Sequence, residues 1–357
     1  MILPSSPMKT PRPSSVVVAL SGGVDSSLAA TLLVEQGWKV TGAHFLLPGT
    51  EQARKQETVA RVADSLGIPL CITDLRERFE EQVIAPFETA YLEGRTPNPC
   101  VVCNLEVKLH ALLQVADTSA AAWVATGHFA RVRMEKGQPA LFRGKDQGKD
   151  QSYFLHRLER GHLARLVLPL GEWTKEEVRA AARSRGLPTR EEPESQEICF
   201  LSGGDYRSFL RSRKGAEIDR PGDIVDRDGH VLGTHRGTHR YTIGQRRGLG
   251  VASSRPYYVV ALQPRQNRVM VGRREDLLRR EVEAVGMAWT TGFPRTESAR
   301  AEAQVRYRHT AAAGLLEILS RDRVRFVFDS AQPAVTPGQA LVLYQGERVL
   351  GGGWIEV

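Results

Sequence analysis

The chain has 357 residues, 41% hydrophobic and 25% charged, with 49 Lys+Arg against 41 Asp+Glu and a formal net charge of +8. At ~100–200 residues per domain this length predicts two or three domains, and the composition excludes wholesale disorder. No apolar run approaches the ~20 residues of a membrane-spanning helix, so no membrane partner is expected. Four Cys in such a length are no disulfide scaffold, and a cytoplasmic setting is expected.

Residues 1–15, with Pro at 4, 7, 11 and 13, read as a disordered tail. From 16 to 203, apolar strand-like runs alternate with helical stretches: VVVAL (16–20), a helix from Ser26 to Gln36, and WKVTGAHFLL (38–47). A polar-faced helix over 51–66, IPLCITDL (68–75), a helix over 79–92, another after Asn104 and WVATGHFARVR (123–133) continue the pattern. Thr174 and Glu177 form a capping box that opens one more helix. Such alternation predicts an α/β fold with a Rossmann-like parallel sheet. After Gly204 short β-rich runs take over, predicting a small β-rich central domain over 204–280 and a C-terminal β-barrel over 281–357.

Charge follows the same divisions. Residues 204–280 carry 17 Lys+Arg against 8 Asp+Glu, all but one of the cations being Arg, whereas the flanking segments are close to neutral. Arg presents a planar fork suited to phosphates and bases, so this segment reads as an RNA or DNA contact, or else as a solvated basic face.

Directly after VVVAL, residues 21–27 read Ser-Gly-Gly-Val-Asp-Ser-Ser and open a helix. The glycines let backbone approach a ligand, the helix start offers free N–H groups and a positive dipole end, and Ser21, Ser26 and Ser27 add hydroxyls. Asp25 has the wrong charge for phosphate unless it helps hold Mg²⁺ or orients the backbone. The run is neither a Walker loop nor GxGxxG. It resembles the PP-loop of ATP pyrophosphatases, which split ATP at the α-phosphate to adenylate a carbonyl oxygen. That resemblance puts ATP contacts on Ala19, Leu20, Ser21, Gly22, Gly23, Val24, Asp25 and Ser26.

Cys100 and Cys103 lie in GRTPNPCVVCN, where two prolines predict an extended loop entering a helix near Asn104. A Cys at a helix N-terminus has its thiolate favoured, which makes Cys103 a reactive thiol. Cys199 lies far away in SQEICF. A lone CxxC lacks the four ligands of zinc; a thiol–disulfide pair and a three-Cys iron–sulfur cluster both remain open. Cys71 reads as a buried strand residue, and His230, His235 and His239 as surface or RNA contacts.

SGGVDSS, GRTPNPCVVCN, ATGHFAR, KDQSYFL, SQEICF, YTIGQRRGLG, RYRHT and TPGQALVLYQGERVLGGGWIE follow one another from 21 to 356. Apart from the tail, the whole chain resembles the tRNA-specific 2-thiouridylases. The resemblance implies that ATP adenylates the C2 oxygen of a wobble uridine and that a persulfide sulfur then attacks C2. It puts the persulfide on Cys199 and makes Cys103 the thiol that releases the sulfur through a transient Cys103–Cys199 disulfide. It puts further ATP contacts on Phe45 and Gly127, and makes Asn98, Pro99 and Cys100 the frame of the target base. His128, Lys149, Asp150, Gln151, Arg306, Tyr307 and Gln339 would meet the tRNA, and a cysteine desulfurase or relay protein would deliver the sulfur.

Two positions depart from the family pattern. Well-described members carry Asp, proposed as an acid/base group, where this chain has Cys100. The resulting Cys100/Cys103/Cys199 set is that of members thought to hold a [4Fe-4S] cluster with one open iron. Phe45 stands where many relatives have Met. The rival reading, a PP-loop synthetase acting on a small carbonyl substrate, needs neither the cysteines nor the Arg-rich segment. An RNA-binding module with a dead ATP site would not need an intact SGGVDSS.

Overall fold

The computed structural model describes residues 14–49, 52–192, 198–201, 205–294 and 296–356. The Pro-rich tail up to 13, Ser195–Glu197 and the expected boundary at 204 lie outside the described residues.

The first layer is a five-stranded parallel sheet. Its strands are β1 (Ser15–Ala19), β2 (Lys39–Leu46), β3 (Leu70–Asp74), β4 (Trp123–Ala125) and β7 (Leu166–Val167), in the order β3-β2-β1-β4-β7. Val16, Val17 and Val18 are buried on both faces of β1, as a central parallel strand requires. Helix α1 (Val24–Glu35) and helix α2 (Gln52–Leu66) cover one face through Ala30, Leu33, Val59 and Val62. Two longer helices cover the other. The first, α3, runs through Arg76–Phe79, a π-helical stretch Glu80–Ile84 and Ala85–Leu92; the second, α4, through Pro99–Val102, a π-helical stretch Cys103–Leu109 and His110–Thr118. The chain leaves β1 for β2 on one side and reaches β4 on the other. The loop after β1 therefore sits at the sheet's switch point, where open α/β sheets bind ligands.

Two sequence expectations shift here. The helix expected near Asn104 already starts at Pro99, because proline at the first helical position gives up an N–H that has no intrahelical partner anyway. The run 123–133 is not one strand: it breaks at Thr126–His128, and β5 (Ala130–Glu135) pairs antiparallel with β6 (Gln138–Arg143). That hairpin joins the C-terminal sheet through Arg348 opposite Phe142 on β6. Cys71 does lie on a strand, but β3 is the sheet's edge and the residue is only half-buried.

Helix α5 (Lys175–Ser184) opens on the expected capping box, with Thr174 Oγ1 accepting from Glu177 N and Thr174 N donating to the Glu177 carboxylate. Helix α6 (Tyr206–Lys214) leads into a four-stranded sheet of β8 (Gly222–Val225), β9 (Val231–His235), β10 (Tyr258–Gln263) and β11 (Arg268–Gly272). Strands β12 (Leu278–Trp289), β13 (Ser298–Gln304), β14 (Ala312–Ile318), β15 (Arg323–Pro333), β16 (Ala340–Gln345) and β17 (Arg348–Glu356) close a six-stranded antiparallel barrel by pairing β12 with β17. Its strand β16 sends Ala340, Val342 and Tyr344 into the same hydrophobic core as α3 and α4. The barrel and the parallel sheet thus share packing. Among the described residues no helix is long and apolar enough to cross a membrane.

Candidate functional site

The loop after β1 is shaped by glycine and serine. Gly22 takes φ +81, and Gly23 caps α1 with no side chain of its own. Ser26 Oγ and Ser27 Oγ both donate to Gly23 O, at 3.1 and 3.0 Å, and Ser21 N donates to Ser26 Oγ at 3.1 Å. These two hydroxyls brace the loop, and the first N–H groups of α1 remain for an anion. Gly127, after β4, completes the floor. A Cβ there would lie 2.8 Å from Asp25 C and Ser26 N, so no other residue fits. Phe45 is buried on β2 within the core that also holds Ala43 and Phe79.

The charge of Asp25 finds an answer that the sequence did not show. Lys175 Nζ lies 2.6 and 2.7 Å from the two carboxylate oxygens of Asp25, nearly buried and 5.6 Å from the Phe129 ring centroid. Lys175 is the first residue of α5, so the capping box fixes where its stem begins. One carboxylate at a phosphate loop also suits Mg²⁺, which takes one or two carboxylates and otherwise phosphate and water oxygens.

The cysteine region is built on α4. Pro99 opens that helix, Cys100 is half-buried in its first turn, and Cys103 is buried where the π-helical stretch starts. Cys199 is exposed on the short segment 198–201, whose neighbour Phe200 is buried against Phe79, Phe87 and Phe209 with ring centroids 5.6, 5.2 and 5.2 Å away. The three thiols interact electrostatically with one another, and all of them with Lys108. Burial pushes the Cys100 thiol up to about 11 and raises that of Cys103, while Lys108 opposes both shifts. The expectation that a helix terminus activates Cys103 is therefore corrected: it lies beyond the first turn, where the dipole's reach has faded, and desolvation dominates.

The three sulfurs are free thiols and do not all lie within 4.8 Å of one another. That separation excludes a ready-made site for one tetrahedral ion, with its ~2.3 Å metal–sulfur bonds. A four-iron cluster spans more space, and three thiols with one open position match its donor chemistry.

Residues named for tRNA arrive around this region from three places. The Asn98 side chain hydrogen-bonds the hydroxyl of Tyr153, which donates to Ala340 O at 3.0 Å. Gln339 Nε2 donates to Thr96 O at 3.0 Å, tying the barrel to the loop before α4. Tyr307 lies 4.4 Å from the ring centroid of Phe154, and Arg306 donates to Pro333 O. Gln151 Oε1 accepts from Phe129 N, and Lys149 is half-exposed beside it. Asp150 is buried, its carboxylate accepting from Gly144 N, Ser152 N, Ser152 Oγ and Arg143, so its oxygens are engaged within the protein. His128 Nδ1 lies 2.8 Å from Thr126 Oγ1; burial first, and Lys108 second, lower its pKa to about 3, which keeps it neutral.

Two histidines of the central region are corrected as well. His235 and His239 are buried, His235 between Asn267 O and Gly237 N, and His239 beside Asp219; only His230 is exposed. Lys108 and Lys175 are the residues that motif reading missed. Neither stands at a distinctive spacing on an ordinary α-helix.

The family described as tRNA methyl transferase HUP domain matches residues 14–203. Those described as tRNA methyl transferase PRC-barrel domain and aminomethyltransferase beta-barrel domain match 207–273 and 279–355. The tRNA-specific 2-thiouridylase MnmA of Carboxydothermus hydrogenoformans is 46% identical, over 96% of this chain and 97% of the relative. That of Desulforudis audaxviator is 48% identical, over 96% and 98%. Among solved structures, a 4-thiouridine synthetase in complex with RNA and ATP is similar at TM-score 0.37 and 18% identity, over 56% of this chain and 49% of that one. With identity of this order along nearly its full length, the chain belongs to the tRNA-specific 2-thiouridylase family.

Proposed function

We infer that the protein is an ATP-dependent tRNA-uridine 2-sulfurtransferase. One observation carries the reading: a braced pyrophosphate loop and a set of three mutually interacting thiols belong to the same domain. Methyl transfer, which the matching family descriptions mention, needs neither feature.

ATP lies with its phosphates on the N–H groups of Gly22 to Ser26; Asp25 would hold Mg²⁺, which would supply charge neutralisation. The uridine C2 oxygen attacks the α-phosphate and pyrophosphate leaves. The terminal sulfur of a Cys199 persulfide, its proton lost to solvent, attacks C2. Cys103, its proton likewise lost to solvent, then attacks the Cys199 sulfur as thiolate; the electron pair of the broken S–S bond stays with the transferred sulfur, and AMP departs as C2=S forms. The resulting Cys103–Cys199 disulfide is returned to two thiols by an external dithiol, which is oxidised in turn. Asn98, Pro99 and Cys100 frame the flipped base, and Lys149, Gln151, Arg306, Tyr307 and Gln339 shape the surface around it. Asp150 serves by holding its loop. A persulfide-bearing desulfurase or relay protein loads Cys199, whose exposure suits it to receive sulfur.

Cys100, Cys103 and Cys199 would hold a [4Fe-4S] cluster, which when bound supplies an open iron for the incoming sulfur. Anaerobically purified protein is expected to contain iron and absorb in the visible; colourless, iron-free and fully active protein would assign the reaction to the thiols alone. Purified protein given ATP, a persulfide donor and unmodified tRNA is expected to form 2-thiouridine on nucleoside analysis, and Cys199→Ser to abolish it. Sulfur transfer surviving that change sinks the persulfide assignment.

A further inference from the structure

Lys108 enters the site through backbone geometry. The π-helical stretch Cys103–Leu109 closes i→i+5 hydrogen bonds, which bring residues five apart onto one face and place Lys108 beside Cys103. Its ammonium interacts with Cys103 and Cys100 from its own helix and with Cys199 from the segment 198–201. Among the described residues no carboxylate pairs with it, and the other basic group facing it, His128 on the loop after β4, is neutral. One half-buried positive charge thus faces three sulfurs without a counter-anion. An unpaired, partly desolvated charge is costly to keep in a fold. An anion that arrives during turnover offsets that cost.

We propose that Lys108 is a catalytic residue of the sulfur-transfer half of the reaction, its ammonium serving as counter-ion to the sulfur anion that attacks the activated uridine. This rests on the sulfurtransferase reading above. Lys108 keeps its proton throughout and forms no covalent bond. The groups its charge meets are the three thiols and His128, with no residue of the loop after β1 among them, so adenylation is expected to proceed without it. Removing one preorganised charge or donor from a developing anion typically costs ~10²–10³ in rate.

The test uses full-length protein with ATP, unmodified tRNA and cysteine persulfide as sulfur donor, reading tRNA-dependent pyrophosphate release and 2-thiouridine formation in single turnover. For Lys108→Met, pyrophosphate release is expected to stay near the wild-type rate while thiolation slows about a hundredfold. Lys108→Arg is expected to recover much of that loss, and added ethylammonium to rescue Lys108→Ala in part. If the Met variant does not fold, Lys108→Gln replaces it. A neutral variant that thiolates at the wild-type rate, or that loses both readouts in equal proportion without ammonium rescue, overturns the proposal. Wild-type protein that releases no pyrophosphate with tRNA overturns the sulfurtransferase reading itself, and is seen before any variant is compared.

Discussion

At the scale of single residues, Gly127 makes the sharpest claim. A methyl group there meets the backbone of Asp25 and Ser26 at 2.8 Å, and backbone cannot rotate aside as a side chain does. Gly127→Ala should therefore displace the start of α1, raising the Kd for ATP at least tenfold and costing about 1–3 kcal/mol of stability. Equilibrium ATP binding checks it; unchanged affinity would mean that the loop is softer than its packing. His156 makes a second claim. It is fully buried, donates from Nδ1 to Tyr153 O, and burial holds its pKa at about 3. The unfolded chain takes up that proton near the ordinary value of ~6.5, so the neutral imidazole's contribution is intact above ~6.5 and is lost as pH falls toward 3, by about 1.4 kcal/mol per unit. Unfolding midpoints at pH 7.5 and 5.0 should fall further for wild type than for His156→Gln; equal drops would refute the assignment. Much of this scale was legible. SGGVDSS implied a turn and an anion cradle because Gly and Ser have few other uses between a strand and a helix. Lys175 and Lys108 were not legible, because one depends on a tertiary approach to Asp25 and the other on a π-helical stretch that a 3.6-residue period hides.

At the scale of elements, the exposed thiol of Cys199 is positioned by its neighbour. Phe200 sits among Phe79 and Phe87 of α3 and Phe209 of α6, and α6 is clamped to α3 by Arg213 and Lys214 on Glu88, a carboxylate only 1% exposed. Breaking such a buried pair from one side typically costs ~3–5 kcal/mol, and truncating a buried Phe a similar amount. Phe200→Ala should thus destabilise the protein and, in the fraction that stays folded, slow thiolation far more than tRNA-dependent pyrophosphate release. Equal loss of the two activities would show that the aromatic cluster supports the whole domain rather than the cysteine segment. Strand–helix alternation was readable from periodicity, and the capping box from its spacing. The β5–β6 hairpin was not, since its pairing with β17 joins residues some 200 positions apart and leaves no local signal.

At the scale of the whole molecule, the +8 charge resolves into working and spent cations. In the central region Arg213, Arg227 and Arg240 are committed to Glu88, Asp276 and Asp219. Arg236, Arg246, Arg247, Arg265 and Arg268 are exposed, and none has an acidic partner among the described residues. Arg246 and Arg247 stand on the loop before β10 that also forms a cavity of about 360 Å³ with Gly248–Ser253, Arg255 and Tyr257. Arg273 stiffens that loop by lying 3.9 Å from the ring centroid of Tyr257 and donating to Arg255 O and Pro256 O. Two exposed cations on a braced loop would grip phosphates and release counter-ions, so binding that uses them must weaken with salt. Replacing both by Ala should lower tRNA affinity and reduce the slope of log K against log salt by about 1.4–1.8, since each neutralised phosphate adds ~0.7–0.9 to that slope. ATP affinity should not change, because the loop that carries it belongs to another domain. An unaltered salt slope would move the tRNA backbone off this surface and leave the basic segment as a solvated face, the reading that charge alone could never exclude.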